Sequence, residues 1–190
     1  MPTPRLMLAT LAATLLAVPA MAQAPAAAPP AQPPAPALSA QAPAVPEAMP
    51  FDIPYGMPLS LDQAHKALTA AAAEAQKHNW KMSITVVDPA GNLVAHATMD
   101  GTQYGSIPIS QAKARTAALL RRPSKALEDR ANGGGPSVLS LIPLFQGAAS
   151  EGGFPIVIDG KLVGAIGASG GMSSQDAVTA KAGLEALGIK

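Results

Sequence analysis

The sequence predicts an α+β fold, a sandwich in which helices flank an antiparallel β-sheet. Two pairs of short strands are each joined by turn-forming residues, at 89–92 and at 159–160. Helical periodicity occurs before the first pair, between the pairs and after the second pair. Strands joined by tight turns pair antiparallel, and helices placed around them in the chain pack on the sheet that they form.

The first helix is predicted to follow Ser60, because Ser60 and Gln63 have the spacing of a capping box. It should run to about His78. Its expected buried stripe combines leucines and alanines at helical spacing: Leu61, Ala64, Leu68, Ala71, Ala72 and Ala75.

Residues 82–88 and 93–100 are predicted to form the first hairpin, because alternating apolar residues flank the turn sequence Pro-Ala-Gly-Asn. Successive side chains of a strand point to opposite faces of the sheet. His96 should therefore share a face with Val94 and Thr98.

The second helix is predicted over Pro108 to Arg121. Its apolar stripe is expected to hold Ile109, Ala112, Thr116, Leu119 and Leu120. Pro123 interrupts the pattern, and a short helix should follow from Ser124 to Ala131. Residues 137–145 fit either irregular structure or a helical turn.

The second hairpin is predicted from strands 154–158 and 162–166, with Asp159-Gly160 as a strong turn sequence. A last helix should run from Ser173 to Leu187, with Asp176 in its first turn for structural reasons. The glycine-rich run 164–171 fits two interpretations, an anion site at a helix start or glycines at close backbone contacts.

Residues 1–22 have the organisation of a secretory signal peptide, with Arg5 before an apolar run and a small-residue site ending at Ala22. An uncleaved membrane anchor is the alternative, but the apolar run is short against the ~20 residues that a span needs. We therefore expect cleavage near Ala22, a periplasmic or secreted protein, and no membrane span afterwards.

Residues 23–58 contain 11 of the 20 prolines and only two charged residues. This composition predicts an extended, disordered Pro/Ala-rich linker. Phe51, Ile53 and Tyr55 near its end either dock on the domain or belong to a simple tether. Residues 59–190 are the predicted globular domain.

The composition excludes several classes of protein. With 13 basic and 12 acidic residues the net charge is +1, which argues against nucleic-acid binding. The absence of cysteine excludes disulfides, thiolate-bound metals and thiol catalysis.

The alanine-rich helix faces suit close packing between subunits, so we expect a homo-oligomer.

The three histidines, His65, His78 and His96, are the first candidates for ligand binding. No two of them have a metal-ligand spacing such as H-x3-H. Each fits a surface or core-edge position, but a single histidine can also be the axial ligand of a haem iron.

Thr116 is the second candidate, because it lies in the middle of the predicted apolar stripe. Its hydroxyl either bonds the carbonyl of Ala112 within the helix or faces a ligand in a crevice. Lys113 and Arg115 flank it and either meet a ligand carboxylate or extend to solvent. The sequence contains no recognisable catalytic constellation.

Four segments together resemble the GlcG/HbpS family of haem-binding proteins, over about residues 58–188. They are ITVVDPAGNLVAHATMDG, SQAKARTA, EGGFPIVIDGKLVGAIGASGG and DAVTAKAGLEAL. The ordered set is specific, whereas a single segment would be weak.

The resemblance implies a profilin-like sandwich, assembly into rings or octamers, and haem as cofactor. It links Thr116, in the Lys-Ala-x-Thr-Ala segment, to the haem iron as a metal ligand, and it leaves the three histidines open. Some exported members serve extracytoplasmic redox or haem sensing with a sensor partner, and others are described as haem-degrading.

We therefore expect an exported oligomeric protein that binds, stores or senses haem or iron, without an evident catalytic centre. Two alternatives stay open. One is an enzyme that acts on haem or a small organic ligand, and the other is an assembly module for a protein partner.

Overall fold

A four-stranded antiparallel sheet lies at the centre of the fold, which confirms the predicted α+β class. The computed structural model describes residues 47–49, 51–134 and 137–189, all within a compact unit that spans Val45–Lys190. The predicted signal peptide and most of the predicted linker lie outside the described residues. The elements in chain order are α1 (Leu61–Lys77), β1 (Ser83–Val87), β2 (Leu93–Thr98), α2 (Ser106–Leu120), α3 (Lys125–Asn132), α4 (Ser137–Phe145), β3 (Gly153–Ile158), β4 (Lys161–Ser169) and α5 (Ser173–Ala186).

The strand order in the sheet is β2-β1-β4-β3, and each neighbouring pair is antiparallel. Both predicted hairpins are present, and β4 continues three residues past its predicted end. Asp159 and Gly160 have φ angles of 50° and 72°. Two positive φ angles in a row are the geometry that an Asp-Gly hairpin turn requires.

Helices cover both faces of the sheet. The main apolar core lies between one face and the pair α1 and α5, and it includes Ile84, Val86 and Ile166. A smaller cluster lies on the other face, between the sheet and α2. Its members are Val87, Ala114, Ala117, Ala118 and Ala165. Within the described residues no helix has the length and apolar character needed to cross a membrane.

The start of α1 confirms the predicted capping box. The side chain of Ser60 accepts the Gln63 N–H at 3.2 Å, and the Gln63 side chain accepts the Ser60 N–H at 2.8 Å. The predicted stripe is wrong for Leu61, which is 54% exposed in the first turn of the helix. The fully buried face of α1 consists of alanines only: Ala64, Ala67, Ala71 and Ala75.

The predicted apolar stripe of α2 is largely wrong. Ile109 is 42% exposed, and Leu119 and Leu120 are half-buried. The face that meets the sheet consists of small or polar residues: Ser106, Ser110, Lys113, Ala114 and Ala117. A Cβ atom on Gly153 or Gly167 would overlap the backbone of α2. The helix therefore lies too close to the sheet for large side chains to fit between them.

The glycine-rich run 164–171 belongs mostly to β4, and three of its glycines, Gly164, Gly167 and Gly170, lie at close backbone contacts. A Cβ on Gly164 would lie 2.5 Å from the carbonyl oxygen of Val87. A Cβ on Gly170 would overlap the carbonyl oxygen of Lys81. The close-contact interpretation of this run is confirmed.

The end of the predicted linker docks on the domain. Tyr55 forms an isolated parallel bridge with Leu162, and the N–H of Gly56 donates to the Leu162 carbonyl at 2.8 Å. The ring of Phe51 lies under the Arg122 guanidinium, 3.8 Å from its central carbon. These contacts place Phe51 beside the C-terminal end of α2 and residues 55–56 beside the start of β4.

The segment 137–145, for which the sequence left two interpretations open, forms α4. It carries no charged residue, and its leucines are largely exposed. Leu139 is 50% exposed, Leu141 49% and Leu144 81%. Exposed leucines so close together form an apolar surface on the α2 side of the molecule.

Candidate functional site

The three predicted residues of α2 point in three directions, although they lie within one helical turn. Lys113 faces α5, Arg115 faces the turn between β1 and β2, and Thr116 faces the segment after α4. The structure therefore does not form one pocket from all three. Each has its own set of partners.

Lys113 forms a buried ion pair with Asp176. The Nζ of Lys113 lies 2.6 Å from the Oδ2 of Asp176, and the two side chains are 2% and 3% exposed. The other carboxylate oxygen of Asp176 accepts the N–H of Gly171 at 3.2 Å. Burial raises the pKa of Asp176, while Lys113 and the backbone N–H groups of this turn act in the opposite direction. The charge of Lys113 is thus compensated inside the protein and does not reach an open surface.

Arg115 lines an open groove of about 400 Å³ between α2, the β1–β2 turn and the C-terminal end of α4. Its Nε donates to the carbonyl of Gly91 at 3.3 Å, and its Nη1 donates to the Oε1 of Gln146. We call this the Arg115 groove. Its lining residues are Ala90, Gly91, Asn92, Arg115, Leu119, Pro143, Leu144, Phe145 and Gln146.

Thr116 lies beneath one end of this groove and is fully buried. Its hydroxyl donates to the carbonyl of Ala112 at 2.9 Å and accepts the N–H of Ala148 at 2.8 Å. A Cβ on Gly147 would lie 2.6 Å from that hydroxyl, so the chain passes directly over Thr116. The hydroxyl is therefore satisfied and covered in this structure.

His96 belongs to a network of side chains on the α2 face of the sheet. Its Nδ1 lies 2.8 Å from the Thr85 hydroxyl, and its Nε2 lies 3.0 Å from the Thr98 hydroxyl. The Thr85 hydroxyl is also 2.9 Å from that of Ser110 on α2. Burial lowers the pKa of His96, so the neutral imidazole is favoured.

His65 and His78 lie on the opposite side of the sheet, on the layer formed by α1 and α5. His65 is exposed on α1. His78 is the C-cap of α1, lies 3.1 Å from the Glu74 carboxylate and stacks on Trp80 with ring centroids 4.3 Å apart. The sheet separates both histidines from Arg115 and Thr116. Among the described residues there is no cluster of three or more His, Asp or Glu side chains suited to a metal ion.

Two functional features are not predicted from the sequence. The first is the partner of Lys113, because Asp176 was assigned a structural role at a helix start. The spacing of Lys113 with Ser110, Ala114 and Ala117 could have revealed it, since a lysine on a small-residue face needs a buried counter-charge. The second is the contribution of α4 to the Arg115 groove, which no periodicity indicated.

The lining of the Arg115 groove is mostly polar and includes the Arg115 guanidinium, while Leu119, Leu144 and Phe145 add apolar side chains. Such a surface suits an amphipathic anion, whose carboxylate can pair with arginine while its apolar body covers the leucines and the phenylalanine. No nucleophile or general base lines the groove among the described residues.

Comparison with known proteins places this chain in a family. A family model described as haem degrading protein HbpS-like matches residues 59–185. Protein GlcG of Escherichia coli K12 is 43% identical over 111 residues, which are 58% of this chain and 81% of GlcG.

Solved structures agree with the match. The crystal structure of Klebsiella pneumoniae protein ORFY has a TM-score of 0.66 and 25% identity, covering 74% of this chain and 98% of ORFY. The crystal structure of a PduOC:heme complex has a TM-score of 0.65 and 26% identity, covering 70% of this chain and 98% of PduOC. The chain therefore belongs to the HbpS-like family and is similar to GlcG, as the resemblance of its four segments predicted.

Proposed function

We propose that this chain is an exported, oligomeric haem-binding protein that stores haem or serves haem or redox sensing. The observation that carries the proposal is the Arg115 groove in a chain of the HbpS-like family. The haem complex of the structurally similar PduOC supports it. When bound, haem would supply a redox-active iron.

The groove offers a haem a cation and a few apolar side chains within a mostly polar lining. The Arg115 guanidinium can pair with a propionate, and its present contacts, a backbone carbonyl and a neutral amide, do not neutralise it. Leu119, Leu144 and Phe145 offer apolar contact to the porphyrin.

A haem also requires an iron ligand, which the groove lining does not provide. None of its residues is His, Met, Cys or Tyr, the side chains that usually ligate haem iron. The Thr116 hydroxyl lies below the groove and would be reached only if Gly147 and Ala148 moved aside. His96, His65 and His78 lie outside the lining. The iron ligand would therefore be Thr116 after such a movement, a histidine elsewhere in this chain, or a residue of a second copy of the chain.

Export and assembly are further parts of the proposal. The leader-like residues 1–22 support transport to the periplasm or the medium. The exposed leucines of α4 support assembly, since a cluster of leucines in water is costly and a subunit contact would cover it. An octamer and an extracytoplasmic sensor partner are what the family resemblance implies. Mass measurement of the exported chain and sedimentation of the purified protein test these two parts.

The central experiment is a haem titration of the purified protein, followed by the Soret absorption. We expect saturable binding that weakens about tenfold in Arg115→Gln, because one charge-assisted hydrogen bond is lost. Lys66→Gln, which removes an exposed charge on α1, is the matched control and should bind normally. Haem binding that does not saturate would reject the groove as the haem site. Equal haem affinity of Arg115→Gln and Lys66→Gln would reject it as well.

The same haem titration, applied to four variants, identifies the iron ligand. The variants Thr116→Val, His65→Gln, His78→Gln and His96→Gln each remove one candidate, and the Soret position reports the change of ligand. Loss of the Soret band with formation of a product, in the presence of a reductant, would support the alternative of a haem-degrading enzyme.

A further inference from the structure

A second cavity lies behind the Arg115 groove, between the end of α2, α3 and α4. Its volume is about 90 Å³. We call it the α3–α4 slot. Its lining is apolar except for two guanidinium groups: Leu120, Arg122, Ala126, Leu127, Arg130, Val138, Leu141 and Phe145.

The two arginines of the slot lack the acidic partners that other basic residues nearby possess. Lys125 on the same helix pairs with Asp129 at 2.5 Å, and Arg121 lies 3.9 Å from Asp52. No carboxylate among the described residues lies within 4.0 Å of Arg122 or Arg130. The two guanidinium groups thus line the same small cavity without a neutralising charge.

Arg122 is held in place by the Phe51 ring, and its Nε–H has no acceptor among the described residues. Its guanidinium lies 3.8 Å from the centroid of the Phe51 ring, a contact that restricts its orientation. Its Nε is buried and has no hydrogen-bond partner among the described residues. A buried N–H of a charged group without an acceptor costs more than an ordinary lost hydrogen bond. Burial and the nearby charge of Arg130 also lower the pKa of Arg122, a cost that a bound anion would remove.

We propose that the α3–α4 slot binds the carboxylate of a short alkyl acid. Arginine pairs with carboxylates through two parallel hydrogen bonds, and Arg122 and Arg130 together would neutralise the anion. The alkyl part would lie against Leu127, Val138 and Leu141. The small volume of the slot, about 90 Å³, restricts the enclosed part of the occupant to a carboxylate with a short alkyl chain, of which butyrate is an example.

Two sources can supply this chemistry. One is a free short-chain acid, and the other is the alkyl-carboxylate side chain of a larger molecule in the Arg115 groove. Phe145 lines both cavities, so the slot and the groove are neighbours. The second source rests on the haem proposal, whereas the first does not.

Calorimetric or NMR titration of the purified protein with butyrate is the primary test. We expect saturable binding that is at least tenfold weaker in Arg130→Gln and unchanged in Lys125→Gln, which removes the same charge from the same helix. Butanol, which lacks the charge, should not bind. Equal affinity of the two variants for butyrate would overturn a free acid as the occupant.

A variant that fills the α3–α4 slot tests the proposal without changing a charge. Ala126→Leu places a larger, helix-compatible side chain in the slot and should abolish butyrate binding while the unfolding midpoint stays within error. Unchanged butyrate binding in this variant would place the acid elsewhere and reject the slot.

Haem and its dimethyl ester separate the two sources. If the slot takes a propionate of the porphyrin, haem competes with butyrate, and Arg130→Gln weakens haem but leaves the ester unaffected. If it takes a free acid, butyrate binds equally with and without haem. Failure of haem to bind would reject the proposed function and leave the butyrate result standing. If Arg130→Gln changes the affinity for neither butyrate nor haem, only the proposal for the slot is rejected.

Discussion

The two faces of the sheet are covered in different ways. On the α1 and α5 side, alanines of the helices meet large aliphatic residues of the strands, such as Ile84 and Ile166, in an apolar core. On the α2 side, the buried set includes hydroxyls and charges: Ser83, Thr85, Ser110, Lys113 and Thr116. The Arg115 groove and the α3–α4 slot border this second side.

This difference shows how one small domain separates folding from binding. Apolar burial stabilises the first side without directional requirements. On the second side buried hydroxyls have specific partners, such as Ser110 for Thr85 and the Ala148 N–H for Thr116, so hydrogen bonds fix the positions of α2 and of the residues after α4. Binding surfaces next to such a layer are held in a defined geometry.

The largest expected effect comes from breaking the ion pair of the α2 side. Lys113→Met leaves the Asp176 carboxylate buried without its partner, and loss of one member of such a pair costs about 3–5 kcal/mol. The free energy of unfolding in urea measures this cost. The double variant Lys113→Met/Asp176→Leu removes both charges and should recover most of the loss.

The matched control for this prediction is Lys77→Met, whose ammonium pairs with Glu74 in the exposed part of α1. Exposed surface pairs contribute little to stability, so this variant should be nearly neutral. Equal effects of Lys113→Met and Lys77→Met would mean that the pair is not buried in solution.

A smaller effect is expected from two buried threonines, one on each side. Thr116→Val should cost about 1–3 kcal/mol, because the Ala148 N–H then lacks an acceptor. Thr179 on α5 is also fully buried, but its hydroxyl has no partner among the described residues. Thr179→Val should therefore be neutral or stabilising, and thermal unfolding of the two variants compares the sides directly.

If both valine variants unfold at the temperature of the parent protein, the hydroxyl of Thr116 does not fix the segment at Ala148. The covering of Thr116 would then be loose, which would favour its access to a ligand in the groove.

Sequence reasoning succeeded where local patterns determine the structure. The capping residues of α1 and the Asp159-Gly160 turn specify their own geometry, and the two hairpins with helices around them predicted the antiparallel sheet but not its strand order. It failed for α2, whose exposed Ile109 and half-buried leucines looked like a core stripe. The inward face of α2 is determined by Gly153 and Gly167 on distant strands, and helical periodicity contains no information about them.

The site was predicted only in part for a similar reason. Thr116 was expected on the apolar stripe of α2, and its bond to Ala112 was one of two open interpretations. Arg115 was expected either to meet a ligand carboxylate or to extend to solvent. The groove itself depends on the path of the chain after α4, which passes over Thr116 at Gly147. The partners of buried charges, such as Asp176 for Lys113, lie far away in the sequence and follow from the tertiary structure alone.

The smallest expected effect concerns the pH dependence of the polar network at His96. The folded state lowers the pKa of His96 through burial, so the unfolded chain binds a proton more readily. The contribution of His96 to stability is therefore complete above the unfolded pKa of about 6.5 and decreases as the pH falls through it towards the lower folded value. His96→Gln should flatten this part of the stability curve, whereas His65→Gln, on the exposed face of α1, should leave it unchanged. Urea unfolding between about pH 5 and pH 8 measures both curves, and a parent slope that persists in His96→Gln would show that the sensitive group lies elsewhere.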